Sequence, residues 1–107
     1  MVSTRMTYPT AAVLQALAAG YRYGFDIAEH TGLRGGTIYP LLRRLEERGL
    51  VSAHWEDPDV GREEGRPSRK YYRLLATAGP LLAEARSRFP VALSAGPESA
   101  GVGGQGR

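Results

Sequence analysis

A mainly α chain with a small antiparallel β-hairpin is predicted by three observations in this 107-residue sequence. Three stretches with apolar residues at helical spacing each close on a glycine, two runs rich in β-branched and aromatic residues follow, and a further helical stretch comes last. One hydrophobic core is expected, because the chain is long enough for one compact domain and too short for two ordinary ones.

The first helix is predicted from about Pro9 to Ala19. In YPTAAVLQALAAG, Val13, Leu14 and Leu17 share a face, and Gly20 stands where a left-handed residue ends a helix. In YGFDIAEHTGL, Phe25, Ile27 and Ala28 cluster on a short second helix that Gly32 stops. The third helix lies in GGTIYPLLRRLEERG. At about 100° per residue, Ile38, Leu41, Leu42 and Leu45 form one apolar stripe, while Gly36, Pro40, Arg43 and Glu47 point away. Gly49 ends it.

LVSAHWE and RKYYRLL read as two strands around a turn-rich loop, DPDVGREEGRPS. Tyr71 and Tyr72 fall on opposite faces, one of them in the core, and Trp55 is expected to pack between sheet and helices. Thr77 is placed to cap a fourth helix with Leu81, Leu82, Ala85 and Phe89 as its apolar face and Pro90 as its end. The chain thus divides into an N-terminal arm (1–8), a domain (9–75), a C-terminal helix (76–90) and a tail (91–107). The tail is expected to be disordered, having too few large apolar residues to offset its chain entropy. The order helix, helix, helix, strand, strand, helix is that of a winged helix-turn-helix.

Composition narrows the function. The absence of cysteine excludes a disulfide framework and a thiolate metal cluster, and suits the cytoplasm. No apolar run approaches the roughly 20 residues of a membrane span. The net charge of +3 points weakly to an anionic partner. Of the fourteen basic residues only Lys70 is not arginine, a bias that genome composition also produces.

Double-stranded DNA is the partner that the third helix suits. In a helix-turn-helix the second helix of the pair enters the major groove by its N-terminal residues. Here Gly36 lets the main chain approach a phosphate or base edge closely, and Thr37 can hydrogen-bond either. Tyr39 and Pro40 offer a hydroxyl and flat apolar surface to a thymine methyl or sugar, and Arg43 and Arg44 reach toward phosphates one turn on. The plainer alternative is that Gly35 and Gly36 make the turn and Pro40 marks a helix start capped by Thr37, with Arg43, Arg44 and Arg48 on a solvated face paired with Glu46 and Glu47. The hairpin adds RPSRKYYR, four positive charges and no negative one, so Arg66, Arg69 and Lys70 at the wing tip are expected on the phosphate backbone.

These motifs resemble those of the PadR family of bacterial transcriptional regulators from about Pro9 to Phe89. The similarity is carried by VLQALAAGYRYGFDIAEHTGL, GGTIYPLLRRLEERGLV, SAHWE and GRPSRKYYRL, with Gly36-Thr37-Ile38-Tyr39-Pro40 the most specific string. The resemblance implies a homodimer on operator DNA, usually repressing a nearby gene, with the third helix in the major groove. Three departures stand out. Arg34-Gly35 replaces the Ser-Pro that often opens the recognition helix, YRLLATAG replaces the usual Thr directly after the wing, and the C-terminal helix is short. Dimerisation, which the family entrusts largely to that helix, would then combine Val13 and Leu14 with Leu81, Leu82 and Phe89. Members of the family respond to phenolic acids, drugs or metals, and nothing here assigns a small-molecule inducer.

Other classes are less well supported. GREEGRPS lacks the lysine and the spacing of a phosphate-binding loop, and no Ser, His and Asp grouping suggests an enzyme. His30 and His54 are too scattered for a metal site, and no cofactor is implied. The serious alternative is a winged helix that grips another protein, which would present an exposed apolar stripe on the third helix.

Overall fold

The computed structural model describes residues 5–90. The expected tail at 91–107 and the first four residues of the arm lie outside the described residues. The elements run α1 (Tyr8–Ala18), α2 (Gly24–Thr31), α3 (Gly35–Glu47), β1 (Val51–Trp55), α4 (Pro58–Glu63), β2 (Lys70–Leu74), a 3-10 turn (Ala76–Ala78) and α5 (Gly79–Arg88).

Thr7 caps α1, its hydroxyl oxygen accepting the Thr10 amide at 3.4 Å, and Pro9 sits in the first turn where its missing N–H costs nothing. Every residue from Thr10 to Leu17 is buried, because α2, α3, α5 and β2 all pack on this helix. The helix is the hub of the core. Small residues such as Ala11, Ala12 and Ala16 let neighbours approach it from several sides. Val13 and Leu14 are therefore 0% exposed within the protomer, which corrects the expectation that they serve dimerisation.

α1 and α3 end alike. Gly20 and Gly49 take positive φ (105° and 72°), which lets the Tyr21 amide reach the Ala16 carbonyl at 3.1 Å and the Leu50 amide reach Leu45 at 3.0 Å. The glycine after each helix thereby turns the chain into the next element. The α3 stripe is as expected: Ile38, Leu42 and Leu45 are fully buried and Leu41 nearly so, in contact with Ile27 and Leu14 in one cluster.

β1 and β2 pair antiparallel, Val51 with Leu74 through Trp55 with Lys70. Tyr23 forms an isolated bridge to Tyr71, and the Tyr72 amide donates to the Arg22 carbonyl at 2.9 Å, so the segment before α2 lies along β2 without forming a strand of its own. Alternation places Val51, Ala53 and Tyr72 on the core face and Ser52, His54, Tyr71 and Arg73 on the opposite face. Tyr72 is the core tyrosine.

Four sequence expectations change. The wing loop contains α4, opened by Pro58 and capped by Asp57, whose carboxylate accepts the Asp59 amide at 2.9 Å. Thr77 does not cap α5; its hydroxyl donates to the Gly49 carbonyl and ties the 3-10 turn to the end of α3. Trp55 is 67% exposed instead of packed between sheet and helices, because β1 carries it past the end of the core. Phe25, expected beside Ile27 and Ala28 on the inner side of α2, is 65% exposed. α5 packs back on α1, where buried Gln15 donates to the Ala85 and Phe89 carbonyls, both at 3.3 Å.

Candidate nucleic-acid interface

α3 starts without a side-chain cap. Arg34 holds the cap position in extended geometry and makes no capping hydrogen bond, and the amides of Gly35 and Gly36 have no protein acceptor among the described residues. Two free N–H groups at a helix N-terminus are a site for an anion. Gly36 is exposed, and a Cβ there would meet nothing within 4 Å. Thr37, Pro40, Arg43 and Arg44 are exposed as well, and neither arginine is in an ion pair among the described residues. Pro40 lies inside the helix and has no N–H, so the Gly36 carbonyl has no i+4 donor.

Tyr39 is held by a neighbour. Its ring lies on the backbone of Gly24 at the start of α2, where a Cβ would come 2.4 Å from Cε1, and its other edge lies over Gly35. The ring is thus fixed between the first turns of α2 and α3 while 48% of the residue stays exposed.

The wing is braced from within. The Arg66 guanidinium forms a two-pronged ion pair with Glu56 (2.7 and 3.0 Å), meets Glu64 at 3.0 Å and donates to the Pro67 carbonyl. Glu56 also accepts the Arg69 amide at 3.1 Å. These bonds, the Arg66 pair first, hold the Glu56 carboxyl down at about 2 and push the Arg66 guanidinium above its ordinary value. Buried Gly61 of α4 lies against the backbone of Arg66, Pro67 and Ser68, leaving no room for a Cβ. Arg66, expected on phosphate, is instead occupied by carboxylates that the run of charges did not reveal.

Arg69 and Lys70 keep their cationic ends at the surface. Arg69 lies over the Tyr23 ring at 4.9 Å, and Lys70 lies 5.7 Å from the Trp55 ring and 3.9 Å from Glu46 of α3. Together with Tyr39, Gly24, Phe25 and Trp55 they line a cleft of about 230 Å³ between the starts of α2 and α3 and the wing. The fold therefore unites Tyr39, Arg69 and Lys70 in one cleft; Arg43 and Arg44 lie farther along α3, outside it. Phe25 and Trp55 were missed as surface groups, since composition does not tell an exposed aromatic from a core one. Gly24 was missed although its place before Phe25 is where Tyr39 needs bare backbone.

A helix pair whose second member opens at the surface beside a cationic hairpin defines a winged helix-turn-helix protein of the DNA-binding type. Residues 13–79 match the transcriptional regulator PadR-like family. The chain belongs to that family, and it is a transcriptional regulator and not an enzyme.

Solved structures agree on the fold. A PadR family regulator from Clostridium difficile R20291 superposes with a TM-score of 0.65 at 22% identity, over 79% of this chain and 90% of that one. A PadR-like transcription factor from Bacteroides fragilis gives 0.59 at 29% identity, over 77% and 80%. The Lactococcus lactis regulator ZitR, solved in complex with DNA, gives 0.60 at 19% identity, over 87% of this chain and 59% of that one. No curated protein matched the chain.

Proposed function

We propose that the protein is a homodimeric, sequence-specific repressor that reads an inverted-repeat operator with α3 and grips the flanking backbone with its wing. The observation that carries this reading is the uncapped start of α3, open at Gly36, with Tyr39 of its second turn in one cleft with Arg69 and Lys70. Gly36 and Thr37 approach the groove, Tyr39 and Pro40 touch base edges and sugar, and Arg43, Arg44, Arg69 and Lys70 meet phosphates. Arg66 holds the wing in shape. Leu81 and Leu82 of α5 and Phe89 just after it, all half-buried, form the subunit contact. The proposed site of action is the cytoplasm, where operator DNA lies; no described helix is long and apolar enough to cross a membrane.

Selection of bound fragments from random duplexes tests the reading. An inverted repeat with half-sites about 34 to 36 Å apart is expected, since that spacing puts two recognition helices on one face of the duplex. A protein-gripping winged helix is the second reading, favoured by the exposed rings of Phe25 and Trp55. Failure to enrich any sequence, with binding that stays weak at low salt, would favour it.

A further inference from the structure

The sheet face turned away from α3 carries a second cationic feature, separate from the α3–wing cleft. Arg22, His54, Tyr71 and Arg73 line a recess of about 200 Å³. Strand order explains the grouping. Tyr71 and Arg73 alternate onto one face of β2, His54 stands opposite Tyr71 in register with their rings 5.9 Å apart, and the Arg22 carbonyl is tied to the Tyr72 amide.

No carboxylate lines the recess. Arg62, Arg66 and Arg88 each pair with an acid, whereas Arg22 and Arg73 are in no ion pair among the described residues. Two like charges around one hollow repel each other until an anion enters. Ser52, paired with Arg73 in register, has a buried hydroxyl on the same face with no hydrogen-bond partner.

We propose that this recess, lined by Arg22, His54, Tyr71 and Arg73, binds the phosphoryl group of a small free anion. The donors come from β1, β2 and the segment before α2, and two guanidinium groups, an imidazole and a phenol around one hollow suit the several outward oxygens of a tetrahedral phosphoryl group better than the two of a planar carboxylate. Guanidinium forks match such oxygens two at a time. The same chemistry is available from a backbone phosphate of DNA, but the recess opens on the side of the sheet opposite α3, which favours a free ligand.

The test uses the full chain without DNA. Inorganic phosphate is titrated at constant ionic strength while the ring signals of His54 and Tyr71 are followed by NMR, with acetate as the comparison anion. Saturable one-site shifts with phosphate and none with acetate are expected. Arg22→Gln/Arg73→Gln should weaken phosphate binding at least tenfold with unchanged circular dichroism, both side chains being exposed. Arg22→Lys/Arg73→Lys, which keeps the charge and loses the forks, should fall between. A second arm measures the salt slope of DNA binding for the Gln pair: an unchanged slope leaves the anion free, and a slope lower by about two assigns the phosphoryl oxygens to DNA. Equal response to acetate, titration of the Gln pair like wild type, or no saturation together with an unchanged slope would overturn the site. Binding of wild-type protein to DNA is read in the same series, so the operator reading and the anion site can fail independently.

Discussion

Replacing Gly24 by alanine changes a residue that touches no DNA in the proposed complex, yet it should impair recognition. The new Cβ would lie 2.4 Å from Tyr39 Cε1, 2.6 Å from Cζ and 2.7 Å from the hydroxyl oxygen, all far inside contact distance. These atoms are the far end of a side chain that can rotate, so the ring moves away and the backbone stays. Alanine also improves helix propensity by up to about 1 kcal/mol over glycine, which offsets the displaced packing of the ring. Stability should then change by under about 1 kcal/mol, a shift in Tm smaller than about 4 to 8 °C. Operator binding loses what Tyr39 supplies, about 1 to 3 kcal/mol of base discrimination, or a factor of about 5 to 150. Fluorescence anisotropy on the selected operator and on a base-substituted one, beside thermal unfolding, measures both. In a double-mutant cycle, Gly24→Ala should add nothing to Tyr39→Ala. An alanine variant that binds its operator with wild-type affinity and preference would refute the idea that bare backbone at Gly24 presents the ring.

Neutralising Arg43, or the pair Arg69 and Lys70, should weaken binding to every duplex and flatten the salt slope by about one unit for each phosphate no longer neutralised; an unchanged slope removes that residue from the interface. Glu56 sets a pH dependence. Its pKa is lowered from 4.5 to about 2, so its support of the wing is complete above pH 4.5 and disappears as pH falls toward 2. Trp55 emission, followed from pH 5 to 2, should report that loss, and Glu56→Gln should abolish the transition. Leu14→Ala should cost about 2 to 5 kcal/mol of folding stability by opening a cavity, with no dependence on protein concentration, because Leu14 is fully enclosed in its own protomer. A concentration-dependent effect would restore it to the subunit contact.

The helices were legible because periodicity and glycine stops agree: the stripe Ile38, Leu41, Leu42 and Leu45 and the turn at Gly49 describe α3 almost completely. α1 was half legible. Its large apolar residues mark one face, but its alanines bury the other side by allowing close approach, and small residues carry no directional signal. α4 was hidden inside a loop-like composition, although Asp57-Pro58 is a cap followed by a first-turn proline. The wing arginines show a limit of another kind. Four positive charges within RPSRKYYR look alike in sequence, and only the fold places Glu56, ten residues earlier, against Arg66 and leaves Arg69 and Lys70 at the surface.

The start of α3 shows how the fold can tolerate poor helix formers where the proposed recognition calls for them. Gly35 and Gly36 cost at most about 1 kcal/mol each, interior Pro40 about 3, and the missing cap about 1. Local propensity alone would leave these turns frayed. The four buried aliphatic residues of the same helix contribute roughly 1.5 to 3 kcal/mol each, a sum of the same size or larger. Tertiary packing along one stripe therefore fixes the axis of the helix, and the opposite stripe is released from any requirement to favour helix. That release is what allows bare backbone, free amides and a proline ring to stand on the outer face. Capping the helix conventionally, with Arg34→Ser, should then stabilise the protein by about 1 kcal/mol in thermal unfolding while its side-chain oxygen competes with an incoming phosphate for the free amides. Operator affinity that rises together with stability would show those amides to be idle in binding.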